Sequence, residues 1–305
     1  MQTIKLSNGV EMPLLGCGVY GSFQMPPIDC IKVLARAIDM GYRMFDTSLH
    51  FDSEEPVGCA WRESGLGRDE FFLVARLGAY NLGEAGTAED IDESLRWLQT
   101  DHIDLLLMQY PYGDVFGAWR AMERAYREGK VRAVGVSNFT QARFFDLANL
   151  AEVKPMVNQL QCNVFSQQRG MEGLLREFGC RLMAWAPLGG HYDKAEVVEN
   201  GVLASIGARH GMTAAQVALR WLTQRSVAAV PRTINAAHMA QNLGSAGFEL
   251  DDSDMELIAS MNQLDAGSID YEDVDFVRSM ADAARVGRME RNPGPAGFGF
   301  GGSAM

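Results

Sequence analysis

Short apolar runs alternate along this chain with longer segments in which apolar residues recur every three or four positions. The runs Leu14–Gly18, Arg43–Thr47, Phe71–Arg76, Ile103–Gln109, Ala133–Ser137, Met156–Gln159, Arg181–Trp185 and Val227–Val230 are nearly continuous in hydrophobicity. That is the pattern of parallel strands buried on both faces. Between them, Ile91, Leu95 and Leu98 fall on one helical face, and Thr87 with Asp90 three residues later predicts a capping box at its start. Val115–Arg127 predicts a helix that stops at Gly129, and Thr213–Gln224 and Ala236–Asn242 predict helices bracketing the last strand. Ahead of these units, Thr3–Met12 reads as a hairpin with Asn8-Gly9 in a type I′ turn.

Eight strands, each leading to a helix, close most simply into a single α/β domain, a (β/α)8 TIM barrel over residues 1–265 with its N-terminal hairpin in 1–13. A doubly wound sheet is the rival, but no G-x-G-x-x-G follows the first strand. Residues 266–305 form a C-terminal extension, with a helix expected near Asp270–Arg285. The Gly-rich stretch Gly294–Met305 reads either as a disordered terminus or as a lid carrying Phe298 and Phe300.

Composition narrows the functional classes. The 305 residues carry a net charge of −12, which disfavours a nucleic-acid backbone or an anionic membrane as partner. No apolar run approaches a membrane span, and the first residues lack the pattern of a signal peptide. Five cysteines without a CxxC pair fit a reducing cytoplasm. A small-molecule substrate is the expected partner and no metal is expected, while the oligomeric state is left open.

Chemistry concentrates where strands meet their following loops: Asp46, Arg76, Gln109, Ser137-Asn138, Asn158-Gln159 and Arg232-Thr233. Polar groups that end apolar strands need partners, so convergence on one cavity is expected. Tyr20, Phe51, Tyr80, Tyr110 and Trp185 would make that cavity aromatic, suited to an apolar or ring-bearing substrate.

Six stretches, in order and in spacing, then resemble the aldo-keto reductase family. They are Leu15–Tyr20, Gly41–Thr47, Gly129–Phe139, Val157–Gln159, Ala184–Gly189 and Val230–Thr233. The resemblance implies a nicotinamide cofactor. Ser137, Asn138 and Gln159 would bond its carboxamide, Trp185 would stack on its ring, and Leu188 would lie close by. Arg232 and Thr233 match a Lys-Ser pair that holds the 2′-phosphate of NADP, with His238, Gln241 and Asn242 further along the same cofactor-binding segment. His238 and Gln241 depart from the family's Arg and acidic residue there, so NADP is the expectation and NAD the alternative.

The catalytic positions depart further. Asp46 matches the family's Asp, but Phe51, Arg76 and Gln109 stand in register with its Tyr, Lys and His. Loss of a general acid costs about 10²–10⁴-fold in rate, and loss of an oxyanion donor about 2.7–4 kcal/mol. Arg76 is expected to pair with Asp46 in a bidentate fork. His50 and Tyr110 are the candidate replacement proton donors. Three functions follow: an oxidoreductase with a rebuilt active site, a non-redox dehydratase, isomerase or cyclase on the same fold, or an inactive binding protein.

Overall fold

The computed structural model describes residues 2–19, 25–190, 196–263 and 269–289. Strands β1 (Thr3–Lys5) and β2 (Glu11–Pro13) make an antiparallel hairpin. Then β3 (Cys17–Gly18), β4 (Met44–Asp46), β5 (Phe72–Leu77), β6 (Leu105–Met108), β7 (Val134–Ser137), β8 (Val157–Gln161), β9 (Arg181–Trp185) and β10 (Ala228–Ala229) pair in chain order as one parallel sheet. The sheet's two ends meet. The Gly16 amide donates to the Ala229 carbonyl and the Ala229 amide to the Leu14 carbonyl, both at 2.9 Å. The expected (β/α)8 barrel is therefore the observed architecture.

Two glycines show what the closure demands. A Cβ on Gly18 would lie 2.9 Å from the Val230 carbonyl oxygen, and one on Gly135 2.5 Å from that of Val157. Any side chain there would push neighbouring strands apart. Strands β4 to β8 are buried along their whole length, as their unbroken hydrophobicity requires.

Two local expectations need correction. The hairpin does not use a type I′ turn, because Gly9 has φ +91° while Asn8 is not among the residues with positive φ. Instead the Gly9 amide donates to the Leu6 carbonyl and the Leu6 amide to the Val10 carbonyl, so Gly9 alone supplies the left-handed residue of a longer loop. Asn8 is engaged by its side chain, which donates to the Arg132 carbonyl and accepts from the Val10 amide. Nor does Thr87 cap a helix. That helix begins at Glu84 with Gly83 as its N-cap, and Thr87 lies buried within it. Asp90 accepts instead from Asn81, whose side chain also donates to the Gly86 carbonyl across the first turn. The tertiary contact of the preceding loop moved the helix start one turn earlier.

Helices Val115–Arg127, Ala214–Gln224 and Ala236–Gly244 lie where the periodicity places them. The C-terminal helix runs Val274–Met289, a few residues beyond the expected span. Tyr20, Phe298, Phe300 and the Gly294–Met305 stretch lie outside the described residues.

Candidate functional site

The loops that follow the strands bring most of the expected residues to one end of the barrel. Asp46 ends β4, Arg76 stands one residue before the end of β5, and Gln109 follows β6. All three are buried. Arg76 Nε lies 3.2 Å from Asp46 Oδ1 and donates to the Thr47 carbonyl at 3.1 Å. The bidentate fork does not form: the Nε hydrogen goes to the Thr47 carbonyl, Asp46 Oδ1 takes no hydrogen bond although it lies within ion-pair distance, and the guanidinium carbon sits 5.6 Å from the Phe51 ring centre. Burial pushes the Asp46 carboxyl above its usual range, opposed by the Arg76 charge and a Gln159 hydrogen bond. Ser48, which the strand-end pattern does not reveal, donates to the Arg76 carbonyl at 3.1 Å and to Gln109 Oε1 at 3.4 Å. Gln109 Nε2 in turn donates to the Tyr110 hydroxyl at 3.2 Å.

Beside Arg76 lies a second polar pair. His50 Nε2 and the Tyr80 hydroxyl are 2.8 Å apart, with ring centres 4.3 Å apart. Burial, and then the Arg76 charge, push the His50 imidazole down to about 4, so it is neutral at pH 7. Burial raises the Tyr80 hydroxyl. Glu54 opens the next helix, fully enclosed, with Oε1 accepting from Ser94 at 3.0 Å. Burial pushes its carboxyl up to about 8, so it is mostly protonated at neutral pH.

At the ends of β7, β8 and β9 stand neutral amide and hydroxyl groups. Ser137 Oγ donates to the Gln159 carbonyl at 2.9 Å. Asn138 Nδ2 donates to the Gln109 carbonyl at 3.0 Å, and Asn138 Oδ1 accepts from Trp185 Nε1 at 2.8 Å. Asn138 therefore ties the end of β6 to the indole ring of β9. Gln159 Nε2 lies 3.5 Å from the weak acceptor Met183 Sδ, and the same side chain acts on the Asp46 carboxyl. Asn138 and Ala186 hold φ of +62° and +47°. Backbone strain of about 1–3 kcal/mol per such residue persists where surroundings over-determine it.

Further round the rim, Arg232 and His238 are exposed and Leu188 is half-buried. Thr233 Oγ1 accepts from the Asn235 amide, and Asn235 caps its helix by accepting from the Ala237 and His238 amides. Gln241 is exposed, whereas Asn242 is buried near Tyr42, whose hydroxyl donates to the Met239 carbonyl at 3.1 Å. Asn158 donates to the Phe139 carbonyl at 3.0 Å.

The C-terminal extension completes an aromatic wall. Tyr110 stacks on Tyr112 at 6.1 Å, and both meet residues of the extension: Tyr271 at 6.3 Å from Tyr110, and Phe276 at 6.4 Å from Tyr112. The Tyr112 hydroxyl donates to the Tyr271 carbonyl at 2.6 Å, and Thr140 to Glu272 at 2.8 Å. Tyr112, Tyr271 and Phe276 escape strand-end reasoning. Tyr112 has a local signal, as the second Tyr of Tyr110-Pro111-Tyr112; the other two have none. A cavity of about 460 Å³ at the other end of the barrel is lined by Asp69, Asp101, His102, Gly129 and Arg132. Its floor is structural: buried Asp104 binds Arg68 and Arg132, each at 2.7 Å, and the Leu73 amide at 2.8 Å.

Comparison with known proteins agrees with this fold. A sequence model of the Aldo/keto reductase family matches residues 14–263. Glyoxal reductase of Bacillus subtilis is 36% identical over 262 residues, covering 86% of this chain and 93% of the relative. Morphine 6-dehydrogenase of Pseudomonas putida is 33% identical over 287 residues, covering 89% and 95%. Among solved structures, MGS-M4, an aldo-keto reductase enzyme from a Medee basin deep-sea metagenome library, superposes with a TM-score of 0.83 at 33% identity, covering 88% of this chain and 100% of that one. A closed parallel barrel whose strand ends gather these polar groups, matched in sequence over most of its length, places the chain in the aldo/keto reductase family.

Proposed function

We propose that this protein is a nicotinamide-dependent reductase of a small apolar or aromatic carbonyl substrate, with Phe51, Arg76 and Gln109 replacing the family's Tyr, Lys and His. The observation that carries the reading is the cluster at the barrel mouth: a buried guanidinium and a buried carboxamide side by side, with the His50–Tyr80 pair next to them. Ser137, Asn138 and Gln159 would hold the cofactor carboxamide and Trp185 its ring, since these neutral groups and the fixed indole suit an aromatic amide. Exposed Arg232 beside Thr233 supports NADP over NAD, with His238 and Gln241 lining the same segment. The cofactor, when bound, supplies the two-electron reduction.

The residues of the chain supply the rest. Arg76 and Gln109 donate to the carbonyl oxygen as negative charge develops on it, the kind of fixed-donor stabilisation that outweighs most other catalytic effects. Phe51 has no proton to give, so the proton comes from the His50–Tyr80 pair or from water. His50 is neutral at pH 7; it therefore acts through a neutral N–H or through Tyr80, and not as an imidazolium. Tyr110 holds Gln109 and serves as pocket wall. In this reading residues 1–265 are the catalytic barrel, and the extension from residue 266 adds Tyr271 and Phe276 to the wall. The named activities of the two relatives above, glyoxal reductase and morphine 6-dehydrogenase, fit carbonyl–alcohol interconversion.

Titration of the protein with NADPH and with NADH, followed by cofactor fluorescence and Trp quenching, should give saturable binding, tighter for NADPH. Absence of binding for both rejects the reading. The triple substitution Phe51→Tyr, Arg76→Lys and Gln109→His should raise aldehyde reduction by about 10²-fold or more, measured as NADPH oxidation. A folded, cofactor-binding triple variant with no gain would show that these positions do not limit the reaction.

A further inference from the structure

The Arg76 guanidinium carries more donors than its protein partners use. Nε donates to the Thr47 carbonyl and lies 3.2 Å from Asp46 Oδ1, while neither Nη group has a hydrogen-bond partner among the described residues. The side chain is nonetheless only 9% exposed. Neither Nη atom is among the buried atoms that lack a partner, so the two idle donors stay reachable from solvent and by a ligand.

The surrounding charge is also one-sided. Asp46 meets the guanidinium at a single oxygen, His50 is neutral at pH 7, and Glu54 is mostly protonated there. One permanent cation thus faces one carboxylate, whose own ionisation burial disfavours. Two parallel Nη donors in a fixed plane match the two oxygens of an anionic, planar group better than a lone carbonyl oxygen. The Phe51 ring against the guanidinium and the Tyr110–Tyr112 stack supply an apolar surface for the rest of the ligand.

We propose that the substrate is a 2-oxo acid with an aromatic or alkyl side chain, its carboxylate held by the Nη groups of Arg76. This rests on the reductase reading above and adds the substrate class. In a 2-oxo acid the keto oxygen lies beside a carboxylate oxygen, so the same fork serves both. The reaction yields a 2-hydroxy acid. With a reduced nicotinamide nucleotide as the two-electron donor, the keto carbon would gain a hydride, the C=O π pair would move to oxygen, and that oxygen would take a proton from the His50–Tyr80 pair or water. The carboxylate is unchanged.

The test is calorimetric binding of phenylglyoxylate and of its uncharged methyl ester to the full-length protein with NADP present. The acid should bind at least about 10-fold more tightly than the ester. Arg76→Gln should weaken the acid about 10- to 100-fold, the range for hydrogen bonds to a charged group, while changing the ester much less. Arg76→Lys should recover part of the loss. Equal binding of acid and ester by the wild type overturns the proposal, as does an equal loss of both in Arg76→Gln. Should that variant fail to fold by circular dichroism, the wild-type ratio decides alone. Preference for the acid without any nicotinamide binding would reject the reductase reading and leave the carboxylate site standing; cofactor binding without acid preference rejects only the carboxylate site.

Discussion

At the scale of single residues, burial sets the chemistry of the candidate site more than residue type does. His50 has an ordinary affinity for protons when exposed, yet the enclosed ring beside Arg76 is held near 4. The unfolded chain binds this proton from about pH 6.5 downward, and the folded chain does not until about pH 4. The stability His50 contributes is therefore complete above pH 6.5 and is lost as the pH falls toward 4, at no more than about 1.4 kcal/mol per pH unit. Urea midpoints at pH 7 and pH 5 should consequently differ less for His50→Gln than for the wild type; equal differences would mean that the ring titrates normally. Asp46, Arg76 and Gln109 were legible as a converging set because each polar residue interrupts an apolar run at its end. The His50–Tyr80 bond was not, since thirty positions separate the pair and only the turn at Ala79–Asn81 brings them together.

At the scale of elements, a cap forms as local sequence allows where the signal and its partner lie within one turn and nothing else claims them. Thr213 accepts from the Gln216 amide and Gln216 reaches back to the Thr213 amide, the reciprocal box that the sequence Thr213–Gln216 allows. Thr213→Ala should lower stability by about 1 kcal/mol, measured by thermal or urea unfolding, and an unchanged midpoint would show the box to be redundant. Thr87 carries the same local signal but lies buried in the middle of its helix, because Asn81 from the preceding loop binds the first turn. Asn8-Gly9 likewise makes a turn of a different kind, since Asn8 is drawn to the Arg132 carbonyl from a distant part of the chain. Local propensity yields where a long-range hydrogen bond satisfies the same groups.

At the scale of the whole molecule, the barrel encloses nearly everything reactive. Cys17, Cys30, Cys162 and Cys180 are buried, and burial pushes the Cys17 and Cys162 thiols up to about 12, whereas Cys59 is only half-buried. A thiol reagent should therefore titrate about one group rapidly in the native protein and the remainder only on unfolding; several fast thiols would mean that the barrel opens readily. No helix among the described residues is long and apolar enough to cross a membrane. The C-terminal helix packs against the turn that carries Tyr80, and Tyr271 and Phe276 just ahead of and within it reach Tyr110 and Tyr112.

The sequence by itself determined the barrel, the order of its strands and the end at which polar groups collect. Those features follow from period and burial, which every short segment states on its own. Only the tertiary structure decided that Arg76 meets Asp46 at one point and leaves two donors without a protein partner. It alone decided that His50 is neutral and bonded to Tyr80, and that the C-terminal extension lines the mouth. Each of these depends on desolvation and on contacts between residues far apart in sequence, and no local pattern encodes either.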